Sequence, residues 1–406
     1  MLLIIAWRNI WRNKRRTLIT SGSVFFAIIL AVFMRSATDG VYEGMIKNVV
    51  SFSSGYIQIH HKDYWEERSI ENAMKDNVTL NSILLKNKDI LYFTPRIESF
   101  ALASAKGKTK GMAFIGIDPL KEKIANRLPE KIKIGSYFLS DKDNGIILGE
   151  GLADYFKINT GDSLILISQG YHATSAAGIF MVRGIVSLGS PQLNNNLAYL
   201  TLSAASDFLT ADSLVTSISL YLVNVKSMNA VSSDLRSSLS NLPLQVMTWK
   251  EMMPEMDQFI TADKSGHLIV VGILYLVISF GLYSTVLMMT YERKHEFGIL
   301  VSIGMKKSKL MLLIFLETMF VTFFGAVLGM GSSFLVILYF VNYPIRFTGE
   351  LKQVYESFGI EPIINMSLNP NIFYYQAFII FLLALAVTIY PSIRILKLKP
   401  VEAMRS

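Results

Sequence analysis

The sequence has no cysteine, so neither a disulfide framework nor thiolate chemistry is open to it. That absence selects no compartment. It has no G-x-x-x-x-G-K-[ST] run, the glycine-rich loop whose backbone amides hold a triphosphate. Five histidines are present (His60, His61, His172, His267 and His295), and none stands at metal-ligand spacing from another histidine or an acid. His60 and His61 are adjacent, which in a strand turns them to opposite faces. No nucleophile elbow or serine-triad pattern occurs. The chain is therefore expected to carry no catalytic residue, no metal site and no cofactor of its own.

Charge is also scarce. Of the 406 residues, 17% are charged and 51% are hydrophobic, and mean hydropathy is +0.40. That is too apolar for an ordinary soluble protein and too polar for a chain made only of membrane spans. A membrane anchor with a sizeable water-soluble part reconciles the two. The apolar runs at 17–37, 267–290, 310–341 and 372–390 each reach or approach the ~20 residues that a helix needs to cross a bilayer. The net charge of +8 could suggest nucleic acid, but the basic residues crowd at the ends of these runs. Arg8, Arg12, Lys14, Arg15 and Arg16 precede the first, Arg293, Lys294, Lys306, Lys307 and Lys309 join the second to the third, and Arg394, Lys397, Lys399 and Arg405 follow the fourth. This is the positive-inside arrangement, so nucleic acid is set aside and these segments are assigned to the cytoplasm.

A topology follows. Residues 1–16 form a cytoplasmic amphipathic helix, with Trp7 and Trp11 on one face and arginines on another, resting among lipid headgroups. Residues 17–37 are the first span, 38–266 an outer polar domain, 267–290 the second span and 291–309 a cytoplasmic joining segment. Residues 310–341 are the third span, 342–371 a short outer loop, 372–390 the fourth span and 391–406 a cytoplasmic tail. The first apolar run is longer than a signal-peptide core, and Arg35 stands where a cleavage site would lie, so an uncleaved span is expected. Within 38–266, strand-like runs at 56–60, 112–117, 145–148, 163–167, 179–182 and 198–200 alternate with turn signals. A strand over 217–225, an amphipathic helix over 227–242 and a strand at 245–247 complete an α+β domain. In it residues 40–90 return to pair with the 190–250 segment, and a more β-rich subdomain is inserted between them.

The joining segment, YERKHEFGILVSIGMKKSKL over 291–310, reads as a short surface helix with Phe297, Ile299, Leu300 and Ile303 available to a partner. Its Glu-Phe-Gly-Ile-Leu followed by Ser-Ile-Gly-Met-Lys-Lys-Ser resembles the coupling segment of the MacB/FtsX superfamily of ABC-transporter permeases. Glu317, then Gly325 and Gly329, fit the same pattern. Glu317 also needs a polar partner on physical grounds alone; an Arg or Lys near the joining segment would serve. Gly325 and Gly329 form a small-xxx-small face for close helix packing. In the outer domain, 145–154 (GIILGEGLAD), Gly161-Asp162-Ser163, Gly116-Ile117-Asp118-Pro119 and Thr248-Trp249-Lys250-Glu251 resemble the LolC/LolE-type lipoprotein-releasing permeases, as does the ending over 399–405.

The resemblance implies a type VII ABC-transporter permease in the bacterial inner membrane. Its fold is four transmembrane helices with a large α+β periplasmic domain between the first two, Porter-like at about 40–90 and 190–255 and Sabre-like at about 91–189. It implies that the chain extracts lipoproteins from the membrane by mechanotransmission, driven by ATP and Mg held on a separate LolD-like ATPase dimer; 406 residues leave no room for a fused ATPase. Glu296, Phe297, Gly298, Ile299, Leu300, Gly304 and Met305 would couple to that ATPase. Phe25, Phe26, Ile29, Phe33 and Met34, with Ile273, Leu276 and Phe280, would line an acyl-chain cavity shared with a second permease chain, identical or different. The further partners implied are a lipoprotein substrate, a LolA-like periplasmic carrier and membrane lipids. The same superfamily also contains MacB-like efflux permeases and FtsX-like activators of a cell-wall hydrolase. The cysteine-free background makes the topology testable: Lys108→Cys should react with an impermeant maleimide only from outside the cytoplasm, and labelling from the cytoplasmic side alone would sink it.

Overall fold

A computed structural model describes residues 2–12, 14–76, 78–357 and 362–396. The basic tail residues Lys397, Lys399 and Arg405 lie outside the described residues. The chain divides into two compact units. The helical unit is drawn from Met1–Glu43, Ile260–Arg346 and Ile363–Ser406, the sheet unit from Gly44–Phe259 and Phe347–Pro362.

Among the described residues, four helices are long and apolar enough to cross a membrane. They are the first to fourth long helices, Lys14–Phe52, Pro254–Glu292, Lys307–Asn342 and Pro370–Leu396. A short N-terminal helix, Leu2–Arg12, precedes them. The first does not stop at residue 37, where the polar domain was expected to begin; it runs on through Asp39, Glu43 and Lys47 to Phe52. Hydropathy marks only the part of a helix that suits lipid, and the polar extension holds by other means. The guanidinium of Arg35 pairs with Asp39 one turn on at 3.1 Å, and no proline interrupts the segment. The second long helix likewise begins at Pro254, well before the apolar run at 267.

Small residues let the first and third long helices approach closely. A Cβ on Gly325 would stand 2.6 Å from the carbonyl oxygen of Ser21, and one on Gly329 would stand 3.1 Å from Cβ of Ile28. Around this contact Val24, Ala27, Ile28, Ala31 and Val32 bury against Leu282, Ala326, Ile337, Phe373 and Ile380. Lipid tails are as apolar as these side chains, so close van der Waals fit rather than water exclusion holds the helices together.

The sheet unit contains strands β1 (Ile57–His61), β2 (Met74–Lys75), β3 (Ile90–Ala105), β4 (Lys108–Ile117), β5 (Ile132–Gly135), β6 (Gly145–Gly149), β7 (Ser163–Gln169), β8 (Ser175–Val186), β9 (Leu197–Thr201), β10 (Leu214–Val215), β11 (Ser217–Leu222) and β12 (Leu244–Thr248). Ten of them form one sheet in the order β12-β1-β11-β3-β4-β9-β6-β8-β5, with β7 joined to both β3 and β8. The return of residues 40–90 onto the 190–250 segment is present: Ile57 stands opposite Leu220 of β11 on one side and Thr248 of β12 on the other.

The division into an inserted subdomain is not a break in the sheet. Position 91 lies inside the unbroken β3, whose start pairs with β11 up to Arg96↔Ser217 and whose end pairs with β7 from Leu102↔Ile167. The long hairpin with β4, in register from Arg96↔Ile117 to Ala105↔Lys108, carries the sheet across the change of partner. Alternation then makes two cores. Phe114, Ile146 and Leu148 face one with Phe156, Leu164 and Phe180. Their neighbours Ile115, Ile117 and Ile147 face the other with Leu197 and Tyr199.

The short outer motifs turn out to be local structure. Thr248 and Glu251 form a capping box for the turn that follows, with Thr248 N–H donating to Glu251 Oε2 at 2.8 Å. The carboxylate of Asp118 accepts from the amides of Leu120 and Lys121, with Pro119 at the first helical position. A Cβ at Gly149 would fall 2.4 Å from the carbonyl oxygen of Asn194. The close fit of the helices predicts that Gly325→Leu lowers the thermal midpoint of the purified protein by the equivalent of about 1–3 kcal/mol. Gly331→Ala, whose Cβ would meet nothing within 4 Å, should leave it unchanged.

Candidate functional site: the joining helix and its charge network

The joining segment folds into a nine-residue helix, Lys294–Ser302, between the second and third long helices. Its apolar residues separate by helical period. Phe297 is 1% exposed and sits in a cluster with Ala6 of the N-terminal helix and Leu310, Leu313 and Ile314 of the third long helix; Leu300 and Met305 are half-buried against the same cluster. Gly298 is buried too. Phe297 is therefore not available to a partner, contrary to the reading of the sequence, because Ala6 of the N-terminal helix and the third long helix pack on that face. What remains open is Ile299, Ile303 and Gly304, with Ile303 80% exposed.

A chain of polar contacts ties these three helices together. Glu317, fully buried, accepts from Nη1 of Arg293 on one oxygen and from Nδ2 of Asn9 at 2.5 Å on the other. Nε of Arg293 donates to Glu296 at 3.0 Å. Arg12 of the N-terminal helix donates to both oxygens of Glu296 at 2.9 and 3.0 Å. The guanidinium of Arg293 also lies 5.1 Å from the ring centre of Phe297. Trp7 adds an apolar tie, with its ring 5.9 Å from that of Phe320 and 5.6 Å from that of Phe324.

Burial separates the two ion pairs by strength. Arg293 and Glu317 are both nearly inaccessible, and removing one partner of such a pair strands the other charge at a cost of about 3–5 kcal/mol. Arg12 and Glu296 are about half exposed, and a pair of that kind contributes at most about 1 kcal/mol. For Glu296, partial burial acts to raise the carboxyl pKa, but hydrogen bonds from Arg293 and then Arg12 outweigh it, so the carboxyl titrates below the usual glutamate range. The arrangement is a stiff joint at Glu317 with an adjustable tie at Glu296. It holds no group placed for bond-making chemistry, and among the described residues no cluster of three or more His, Asp or Glu could hold a metal ion.

The proposed cavity residues fall in two groups. Ile273, Leu276 and Phe280, with Val277, share one outward face of the second long helix, and Phe26 faces outward from the first. Phe25, Ile29, Phe33 and Met34 are half-buried, and Phe33 meets Phe340 of the third long helix with ring centres 5.7 Å apart. Beyond these apolar faces the first and second long helices are tied by polar side chains. The hydroxyl of Tyr42 donates to Asp263, Lys264 lies 5.2 Å from the Tyr42 ring centre, and Thr38 Oγ1 is 3.3 Å from the His267 ring. The expectation that an arginine or lysine near the joining segment would partner Glu317 is met by Arg293; Arg12 was only a topology signal, and nothing in the sequence marks Asn9. Glu317 announced that it needed a partner without saying which.

The depressed Glu296 carboxyl fixes the sign of a pH effect. A group whose folded pKa is lowered adds stability above its unfolded pKa and loses it as the pH falls through the folded one. The stability difference between the native protein and Glu296→Gln should be present at neutral pH and vanish in acid below the usual glutamate range. Glu317→Ala should lower stability several-fold more than Glu296→Gln at pH 7, as read from thermal midpoints.

Residues 268–400 match the FtsX-like permease C-terminal family. The chain is 24% identical over 357 residues, 83% of each sequence, to the lipoprotein-releasing system transmembrane protein LolC of Neisseria meningitidis. It is 23% identical over 350 residues, 80% of each, to the lipoprotein-releasing system transmembrane protein LolE of Haemophilus influenzae. The periplasmic region of MacB from Actinobacillus actinomycetemcomitans aligns with 54% of this chain and 95% of its own, at 16% identity and a TM-score of 0.35. The chain thus carries an FtsX-like permease domain and, over most of its length, resembles the LolC/LolE-type lipoprotein-releasing permeases of the MacB/FtsX superfamily.

Proposed function

We propose that this chain is the membrane subunit of an ABC transporter that lifts lipoproteins out of the bacterial inner membrane, using ATP hydrolysed on a separate subunit. The observation that carries the reading is the joining helix, braced by Arg293 to Glu317 and by Glu296 to Arg12 while Ile299 and Ile303 stay exposed. An exposed apolar pair on a braced cytoplasmic helix suits contact with an ATPase. The buried Arg293–Glu317 pair would pass movement of that helix to the third long helix without slack. Similarity to LolC and LolE supplies the substrate class.

Energetics make the ATPase necessary. Withdrawing an acyl chain from a bilayer costs about 0.8 kcal/mol per CH₂. Apolar side chains return roughly 25 cal/mol per Å² buried, so a slot lined by Phe26, Ile273, Leu276 and Phe280 would recover part of that cost without reading cargo sequence. Because these residues face outward, a second permease chain would close the slot. A periplasmic carrier of the LolA kind would receive the cargo.

Two measurements test it. Ile299→Asp with Ile303→Asp should reduce co-purification of the ATPase at least ten-fold while leaving the thermal midpoint near that of the native protein, since both side chains are exposed; undiminished co-purification refutes the coupling role. A photo-crosslinker at 273, 276 or 280 should capture lipoprotein that ATP then releases. Capture of bulk phospholipid alone, together with normal departure of lipoproteins from the membrane in a separate strain lacking this chain, would remove lipoprotein release as the function.

A further inference from the structure

The first long helix ends at Phe52 inside the sheet unit. The carbonyls of Val49 and Val50 accept from the backbone amides of Ser53 and Gly55, and those of the next four residues, Ser51 to Ser54, are each met by a side chain. The carbonyl of Ser51 accepts from the Tyr221 hydroxyl at 2.8 Å and from Asn126 at 3.2 Å. That of Phe52 accepts from the Tyr199 hydroxyl at 2.7 Å, that of Ser53 from Nη1 of Arg96, and that of Ser54 from the Ser219 hydroxyl at 3.0 Å. The donors come from β3, β9, β11 and the turn after the helix Pro119–Ala125.

At the centre lies Arg96, with its side chain wholly inaccessible. Its Nε donates to Glu122 Oε1 at 2.7 Å, and its Nη2 to Glu122 Oε2 at 3.1 Å and to the Tyr221 hydroxyl at 2.7 Å. Glu122 also accepts from Thr94 at 2.8 Å and from Asn126 at 2.5 Å. A buried cation at the negative end of a helix is favourable electrostatics. Yet a buried ion pair is weak evidence for stability alone, since apolar residues of the same volume often do as well. Such a pair is better explained by what it orients.

We infer that Arg96, Glu122, Tyr199 and Tyr221 form a socket that seizes the C-terminal end of the first long helix, so that rotation or axial displacement of that helix moves the sheet with it. Arg96 and the two tyrosines are positioning residues: they touch no cargo and fix the helix end against β3, β9 and β11. The geometry suits transmission better than simple closure. The bonds converge from several strands onto consecutive carbonyls, so the helix end can neither turn nor slide without breaking several at once. The consequence for release rests on the function proposed above; the grip itself does not.

The test uses the full-length chain in its complex with the ATPase. Tyr199→Phe with Tyr221→Phe removes hydroxyl donors to Ser51 and Phe52 while keeping the Arg96–Glu122 pair and the apolar rings, so folding should survive. Amide hydrogen exchange at residues 53–56 should rise by about ten-fold, as expected from losing two hydrogen bonds in one local opening unit, with β6 amides unchanged. ATP turnover should persist while release of lipoprotein from proteoliposomes falls several-fold. Arg96→Lys, which keeps the charge but not the fork of donors, should show the same pattern.

Unchanged exchange at 53–56 in both variants overturns the socket. So does raised exchange with release intact, and so does exchange that rises equally in β6, which would mark a merely structural role. If the native complex itself releases no lipoprotein, the functional reading fails, and the exchange measurement still judges the grip.

Discussion

A carboxylate in an apolar helix has few ways to exist, and Glu317 governs the architecture around it. Removed from water, it must find donors inside the protein, and it finds Asn9 on the N-terminal helix and Arg293 at the cap of the joining helix. Satisfying it fixes where the joining helix begins and which face the N-terminal helix presents. Phe297 then falls into the apolar cluster with Ala6 and Leu313, and Ile299 and Ile303 are left outside. The exposed apolar surface is thus what remains after a buried charge has been satisfied.

Much of this was legible in the sequence because it rests on periodicity and charge. The uncharged runs and the flanking arginines and lysines reported the long helices, and alternation reported most strands of the sheet. Helix ends were less visible. Hydropathy falls away near residue 37, yet backbone hydrogen bonding continues to Phe52, since no proline between Asp39 and Ser51 stops a helix once one is under way. The exposure of Phe297 was misjudged because amphipathic spacing tells which residues share a face but not what lies against it. The Arg96 cluster escaped notice for a similar reason: an arginine within an apolar strand has no sequence signal for partners at 122, 199 and 221.

Polar groups recur at the places where helices end or meet. Asn9, Arg12, Arg293 and Glu296 join three helices at one end of the helical unit, and Tyr42, Asp263, Lys264 and His267 link the first and second long helices elsewhere in it. Between such points most contacts are apolar and without direction, with Tyr275 to Gln376 a polar exception. Dispersion carries no direction of its own, whereas a bidentate or multiply bonded arginine admits one geometry. Under the function proposed above, in which the helices move, the charged joints determine what moves together.

The change of partner along β3 has a consequence for how this unit can vary. Arg96 is buried at the helix end beside β11, while Ile97, Ala101 and Ala103 face the core with Phe100 and Leu102 turned outward. Side chains alternate along a strand, so one inserted residue between these segments would turn one set over with respect to the other, placing phenylalanine where alanine fits. Two inserted residues would restore the alternation. Drift in the length of this strand among relatives should therefore proceed in even steps, and odd steps should be accompanied by a bulge that absorbs the extra residue.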